Sequence, residues 1–179
     1  PAGGGCKEML RRYLGDIPST VNYDPNPFVQ TAFMNIALGQ VSTSSEEARQ
    51  MRYLRPTDRI SNDADALLAD AKSLALGLAS SGYAPEGPKR FKLPGPSGLS
   101  AIRLQLLDFL QGGKASEHDV LVGTRIAHVL TGGDIPTDSW VDEQHILDLE
   151  REAFLGLLGE EKTRERIQHF LTTKKILRN

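Results

Sequence analysis

A chain of 179 residues suits one domain of ordinary size, and 39 % hydrophobic with 25 % charged residues excludes a disordered polymer. The longest apolar runs, at residues 104–110 and 120–130, are broken by Gln105, Asp108, Thr124, Arg125 and His128, short of the ~20 apolar residues a membrane span needs. With 21 Lys and Arg against 23 Asp and Glu, the net charge is −2 and no basic block tracks a phosphate backbone, which argues against nucleic acid as partner. Cys6 is the only cysteine; it excludes an internal disulfide and fits a reducing compartment.

The chain starts at Pro1, with no charged and apolar leader of the secretory kind, and runs at once into Ala2, Gly3, Gly4 and Gly5. It reads as a piece of a longer protein. The glycines let backbone approach a ligand or another segment closely, and a helix after them would aim free N–H groups at an anion. The run is not a P-loop: Cys6 separates Gly5 from Lys7, and Glu8 stands where a hydroxyl is needed. Tight packing or a cap competes with ligand contact for its meaning.

Asn26 and Pro27 predict a helix start, with Phe28, Ala32 and Ile36 at helical spacing and Gly39 as the stop. Ser44 with Glu47 is a capping box that opens a second short helix, ending near Arg55 before Pro56. Residues 41–43 and 53–60 are expected to be weak strands or extended loops. From 62 to 81, Leu67, Ala71, Leu74, Ala75 and Leu78 form one stripe of a helix closed by Gly82. Four prolines and glycines at 85, 87, 88 and 94, followed by Gly95 and Pro96, enclose the basic Lys89, Arg90 and Lys92, so residues 83–97 are expected to be a linker. Helices are predicted over 97–111, 116–131, 142–158 and 160–172, each with an apolar stripe that needs a partner surface. No repeat of solenoid period is present.

Catalytic constellations are sparse. Cys6 near a helix start is a candidate nucleophile, and such a hydrolase would require His118, His128, His145 or His169 within hydrogen-bond reach of its sulfur. The histidines show no metal-ligand spacing. Asp142, Glu143, Asp148, Glu150 and Glu152 read as a solvated helix face. Glu47 is accounted for by its cap, and Lys174, Lys175 and Arg178 complement a helix dipole.

Several stretches carry a resemblance. Pro1-Ala2-Gly3-Gly4-Gly5-Cys6-Lys7-Glu8-Met9-Leu10 resembles the Pro-Gly-Gly-Gly-Gly-x-x-x-Leu segment of the crotonase (enoyl-CoA hydratase/isomerase) superfamily, departing at Ala2. The segment from Ala37 to Ala48 is similar to its Leu-Thr-Gly-x-x-Ile-x-Ala-x-Glu-Ala, and residues 63–79 to its next long helix. Residues 161–175 resemble its closing helix, Glu-Gly-x-x-Ala-Phe followed by a basic pair, with Arg166 and His169 in place of Gly and Ala. The ending, with Leu130-Thr131-Gly132-Gly133-Asp134 before it, looks most like bacterial fused 3-hydroxyacyl-CoA dehydrogenase/enoyl-CoA hydratase proteins of fatty-acid β-oxidation.

The resemblance implies a mainly α piece from the carboxyl-terminal side of a crotonase-like α/β fold, with at most one or two short strands. Residues 1–82 would complete the crotonase core, 83–97 would be the linker and 98–179 a helical extension. It implies that the oxyanion donors and both glutamates lie upstream, so that no catalytic residue falls in this chain. Substrate-binding positions carried over are Gly3, Gly4 and Gly5 beneath the acyl pocket, and Phe170 with Lys174 near the CoA adenine or phosphates. No cofactor or metal is implied for the piece itself; NAD would serve the fused dehydrogenase, and acyl-CoA would be the substrate. The implied parent is cytoplasmic and homo-oligomeric, with its upstream part as partner. The rival is an independent helical interaction module; a true piece should leave an apolar patch uncovered around Phe28 to Leu38 and Leu67 to Leu78.

Overall fold

The computed structural model describes residues 3–179, which divide into two compact units: 3–41 with 89–179, and 42–88. Among the described residues eight helices and a two-stranded antiparallel sheet make the chain mainly α, as expected.

In the larger unit, α1 (Gly5–Leu14) and α2 (Asn26–Ala37) pack together and against α6 (Glu117–Leu130), while α7 (Glu143–Leu158) covers α1 and α6. α2 starts at Asn26 after Pro25, with no side-chain cap, and the Asp24 carboxylate just before it accepts from the Asn26 amide at 2.9 Å. Its buried face is Val29, Ala32 and Phe33, with Phe28 and Ile36 at the margins. Helix α5 (Pro96–Gln111) lies on α6 through Leu99, Ile102 and Leu106. Ser116 and Asp119 close a reciprocal box at the start of α6, and Asp142 accepts from the His145 amide at 2.8 Å to start α7. The core gathers Leu10, Leu14, Val29, Phe33, Phe91, Leu93, Ile102, Leu130 and Ile146, all fully buried.

The strands are not where the sequence placed them. β1 (Arg90–Leu93) lies inside the expected linker and pairs antiparallel with β2 (Ser139–Asp142), Phe91 opposite Val141. Phe91 and Leu93 alternate inward while Arg90 faces out, the period of a half-buried strand; the surrounding prolines and glycines hide so short a signal. The basic cluster is tied down: Lys92 Nζ reaches Tyr23 O at 3.1 Å and Asp138 at 3.3 Å, and Lys89 lies 3.6 Å from Asp16. Gly95, at φ 59°, turns the chain from β1 into α5 where a Cβ would stand 2.8 Å from the Ile135 carbonyl.

In the smaller unit, α3 (Ser45–Gln50) is shorter than expected. The Ser44 hydroxyl accepts from the Glu47 amide at 3.1 Å, but the Glu47 carboxylate accepts from the Thr43 amide and hydroxyl rather than closing on Ser44. The amides of Tyr53 and Leu54 return to the Ala48 carbonyl, so the helix stops at Gln50 and residues 53–60 are loop rather than strand. Residues 41–43 are likewise irregular. α4 (Leu67–Ser80) forms as predicted but buries none of its residues: Leu68 is 82 % and Leu76 62 % exposed, and Leu67, Leu74 and Leu78 are exposed too.

Candidate functional site

The glycine run ends in α1, and only its middle residue has a reason within the chain to be glycine. Gly4 is buried at φ 105°, a left-handed conformation that costs an L side chain ~1–2 kcal/mol, and a Cβ there would touch Leu147 at 3.4 Å. Gly3 and Gly5 are exposed, with nothing within 4 Å of where a Cβ would sit. Open backbone on both sides of a pinned residue is what close approach by an outside group requires.

Two amides at the start of α1, those of Cys6 and Lys7, are not free for an external anion. Glu150 of α7, 1 % exposed, accepts from the Cys6 amide at 3.2 Å and the Lys7 amide at 3.4 Å. Nearer the start of α7, Glu143 accepts from Arg11 Nη1 at 2.9 Å and from the Lys89 amide at 3.0 Å, with Lys7 Nζ at 3.9 Å. Glu143, Leu147 and Glu150 share one face of α7, so a carboxylate, an apolar contact and a second carboxylate grip α1 in turn. This corrects the reading of Glu143 and Glu150 as part of a solvated face, while Asp142, Asp148 and Glu152 are exposed as expected. The available signal was spacing: Glu150 follows Ile146 by four and precedes Ala153 and Leu157 by three and seven, inside the buried stripe.

Cys6 is 2 % exposed, and its thiol is pushed up to about 12 by burial first and by the Glu150 charge second. A catalytic cysteine needs an accessible sulfur and the opposite shift, so the burial of Cys6 beside Glu150 speaks against the Cys6 hydrolase. Two of the four histidines have local duties: His118 Nε2 lies 2.9 Å from Thr163 Oγ1, and His145 Nε2 donates to the Gly132 carbonyl at 2.8 Å. Among the described residues no group of His, Cys, Asp and Glu could hold a metal ion.

Phe170 and Lys174 sit on and after α8 (Glu161–Thr173), a helix that packs on α7 and buries none of its residues. Phe170 is 50 % exposed, and Ile167 and Leu171 beside it are also exposed. Its carbonyl accepts the amide of Lys174, whose side chain is exposed and whose φ of 57° closes the helix. The apolar stripe of α8, which needs a partner surface, stays exposed among the described residues. Polar contacts hold it instead: Arg166 donates to Asp119 at 2.7 Å and to Asn179 Oδ1 at 2.7 Å. The position where the crotonase pattern has glycine is thus a structural hub. Asp119 is held below its ordinary value: burial opposes this, but hydrogen bonds from the Ser116 amide and Arg166 outweigh it. His118 is pushed down by burial and then by the Arg166 and Lys162 charges.

The larger unit is therefore a helical body that pins one glycine between open neighbours and presents an uncovered apolar edge along α8, followed by the exposed Lys174 and Lys175. The chain is 41 % identical, over all 179 residues, to a probable 3-hydroxyacyl-CoA dehydrogenase of Bacillus subtilis. It spans 22 % of that protein's length. No protein-family profile and no solved structure matches it. No helix among the described residues is long and apolar enough to cross a membrane.

Proposed function

We propose that this chain is part of a longer fatty-acid β-oxidation protein, in which it completes a crotonase-like domain that hydrates trans-2-enoyl-CoA beside an NAD-dependent 3-hydroxyacyl-CoA dehydrogenase. The observation that carries this reading is identity along the whole chain to a dehydrogenase of which the chain spans 22 %. Two structural features support it. Gly3 and Gly5 leave backbone open where an acyl group would lie, and α4 buries none of its residues, although a 14-residue helix with apolar residues on most sides is marginal alone in water. Further polypeptide of the longer protein covers α4. The α2 half of the expected patch behaves otherwise, since Val29, Ala32 and Phe33 are already buried; that feature favours a self-sufficient helical module, the second reading.

Hydration needs N–H donors for the developing enolate and a carboxylate to activate water. Here the Cys6 and Lys7 amides are given to Glu150, and the catalytic glutamates belong to the upstream part. The contribution of this chain is binding: Gly3, Gly4 and Gly5 floor the acyl site, while Phe170 and Lys174 meet the CoA adenine or phosphates. NAD does not fit these residues. The glycine run lacks the Gly-x-Gly-x-x-Gly pattern, and its helix start is filled by a carboxylate, so the cofactor belongs to the dehydrogenase portion. The assembly is a cytoplasmic homo-oligomer.

The test is to assay this chain and the longer protein for enoyl-CoA hydration and for NAD reduction with 3-hydroxyacyl-CoA. Both activities are expected in the longer protein and neither in this chain. Hydration by this chain alone would put the catalytic carboxylates within it. Oxidation without hydration in the longer protein would remove the crotonase half of the proposal.

A further inference from the structure

We infer that Glu150 is the positioning residue of the glycine loop, setting from α7 where the backbone of Gly3 to Gly5 stands; the link to acyl-CoA binding rests on the proposed function. A buried carboxylate is retained at a cost unless charge or hydrogen bonds compensate it, and Glu150 accepts from two successive amides at the positive end of α1. The contact joins residues 144 apart in sequence, so it is tertiary and does nothing for α7 itself. It lies immediately after the loop. Leu147, one turn earlier, meets the pinned Gly4, while Glu143 grips Lys7 and Arg11 farther along α1. The two carboxylates thus meet at Lys7 but act on different groups, Glu143 on the side chains of Lys7 and Arg11 and Glu150 on the backbone amides of the first turn. Cys6 fits this arrangement as a small buried neighbour of the carboxylate rather than as a reactive group.

Glu150→Gln keeps the shape but replaces one acceptor with an NH2 that faces an amide N–H. Hydrogen exchange on this chain is expected to speed up about tenfold or more at residues 5–8 and to stay unchanged in α5 and α6. In the longer protein the KM for enoyl-CoA is expected to rise about tenfold with kcat little changed, whereas Glu143→Gln lowers the melting temperature without moving KM. Glu150→Asp keeps the charge with a shorter reach and gives a smaller effect of the same pattern; it serves where the glutamine variant does not fold. Unchanged exchange at residues 5–8, or faster exchange spread evenly over all helices, overturns the positioning role. Local exchange that rises while KM stays fixed overturns the link to the acyl site. A wild-type longer protein without hydratase activity removes the functional reading, while the exchange result still decides the role of Glu150.

Discussion

Four helices of the larger unit and the long helix of the smaller one handle apolar sequence in opposite ways. In the larger unit, α2, α5, α6 and α7 turn their stripes inward around Phe33, Phe91 and Leu130, and polar side chains serve at the helix starts. In the unit of residues 42–88, α4 carries Leu67, Leu68, Leu74, Leu76 and Leu78, none of them buried. Helix formation and burial are therefore separate outcomes. Local pattern suffices for the first, and only a facing surface gives the second.

The sharpest break of this contrast is a pair of core and surface truncations. Phe33→Ala or Phe91→Ala is expected to cost about 3–5 kcal/mol in urea unfolding, whereas Leu68→Ser in this chain should stay within about 0.5 kcal/mol. Leu74→Ala in the longer protein should cost about 2–5 kcal/mol if α4 is covered there; an effect as small as in this chain would refute that cover.

The glycines give the next effect. Gly4→Ala forces an L side chain to φ 105° and should destabilise by about 1–2 kcal/mol. Gly5→Ala meets open space and should stabilise the chain by about 0.5 kcal/mol while weakening acyl-CoA binding by the longer protein. Isothermal titration with an acyl-CoA separates the two, and undiminished affinity of the Gly5 variant would take the loop out of the acyl site.

Caps supply a smaller step: Ser116→Ala, which removes the reciprocal box of α6, should cost about 1 kcal/mol by thermal melting.

The gentlest test is pH. His118 titrates below its ordinary 6.5 in the folded chain, so below about pH 6.5 the unfolded chain binds the proton first. Stability is full above that value and falls as pH drops towards the folded one. Asp119, held below its ordinary 3.8, adds stability that is present above that value and lost as pH falls through the folded one. His118→Gln should flatten the loss of melting temperature between about pH 7 and 5; an unaltered slope would show that another group governs it.

Local chemistry made most helices legible. The helices expected over 97–111, 116–131 and 142–158 rest on signals that act within a few residues, and the structure repeats them to within a residue at each end. Residues 90–93 were hidden because so short a strand gains its stability from a distant partner at residues 139–142 and lacks a local signature of its own. The candidate site was legible in part. Glycine flexibility is written in the sequence, but which glycine is pinned and which are open is not. Glu150 was misread because its charge argued for solvent, while its spacing argued for burial.

What the sequence by itself determined is the mainly helical character and the positions of its caps and stops, since backbone hydrogen bonds and turn preferences act over three or four residues. Only the tertiary structure decided that β1 pairs with β2, that Arg166 anchors α8 and that Glu150 fills the start of α1. Each of those depends on groups that meet across long loops, where a carboxylate exchanges water for two amides and its meaning changes from surface to core.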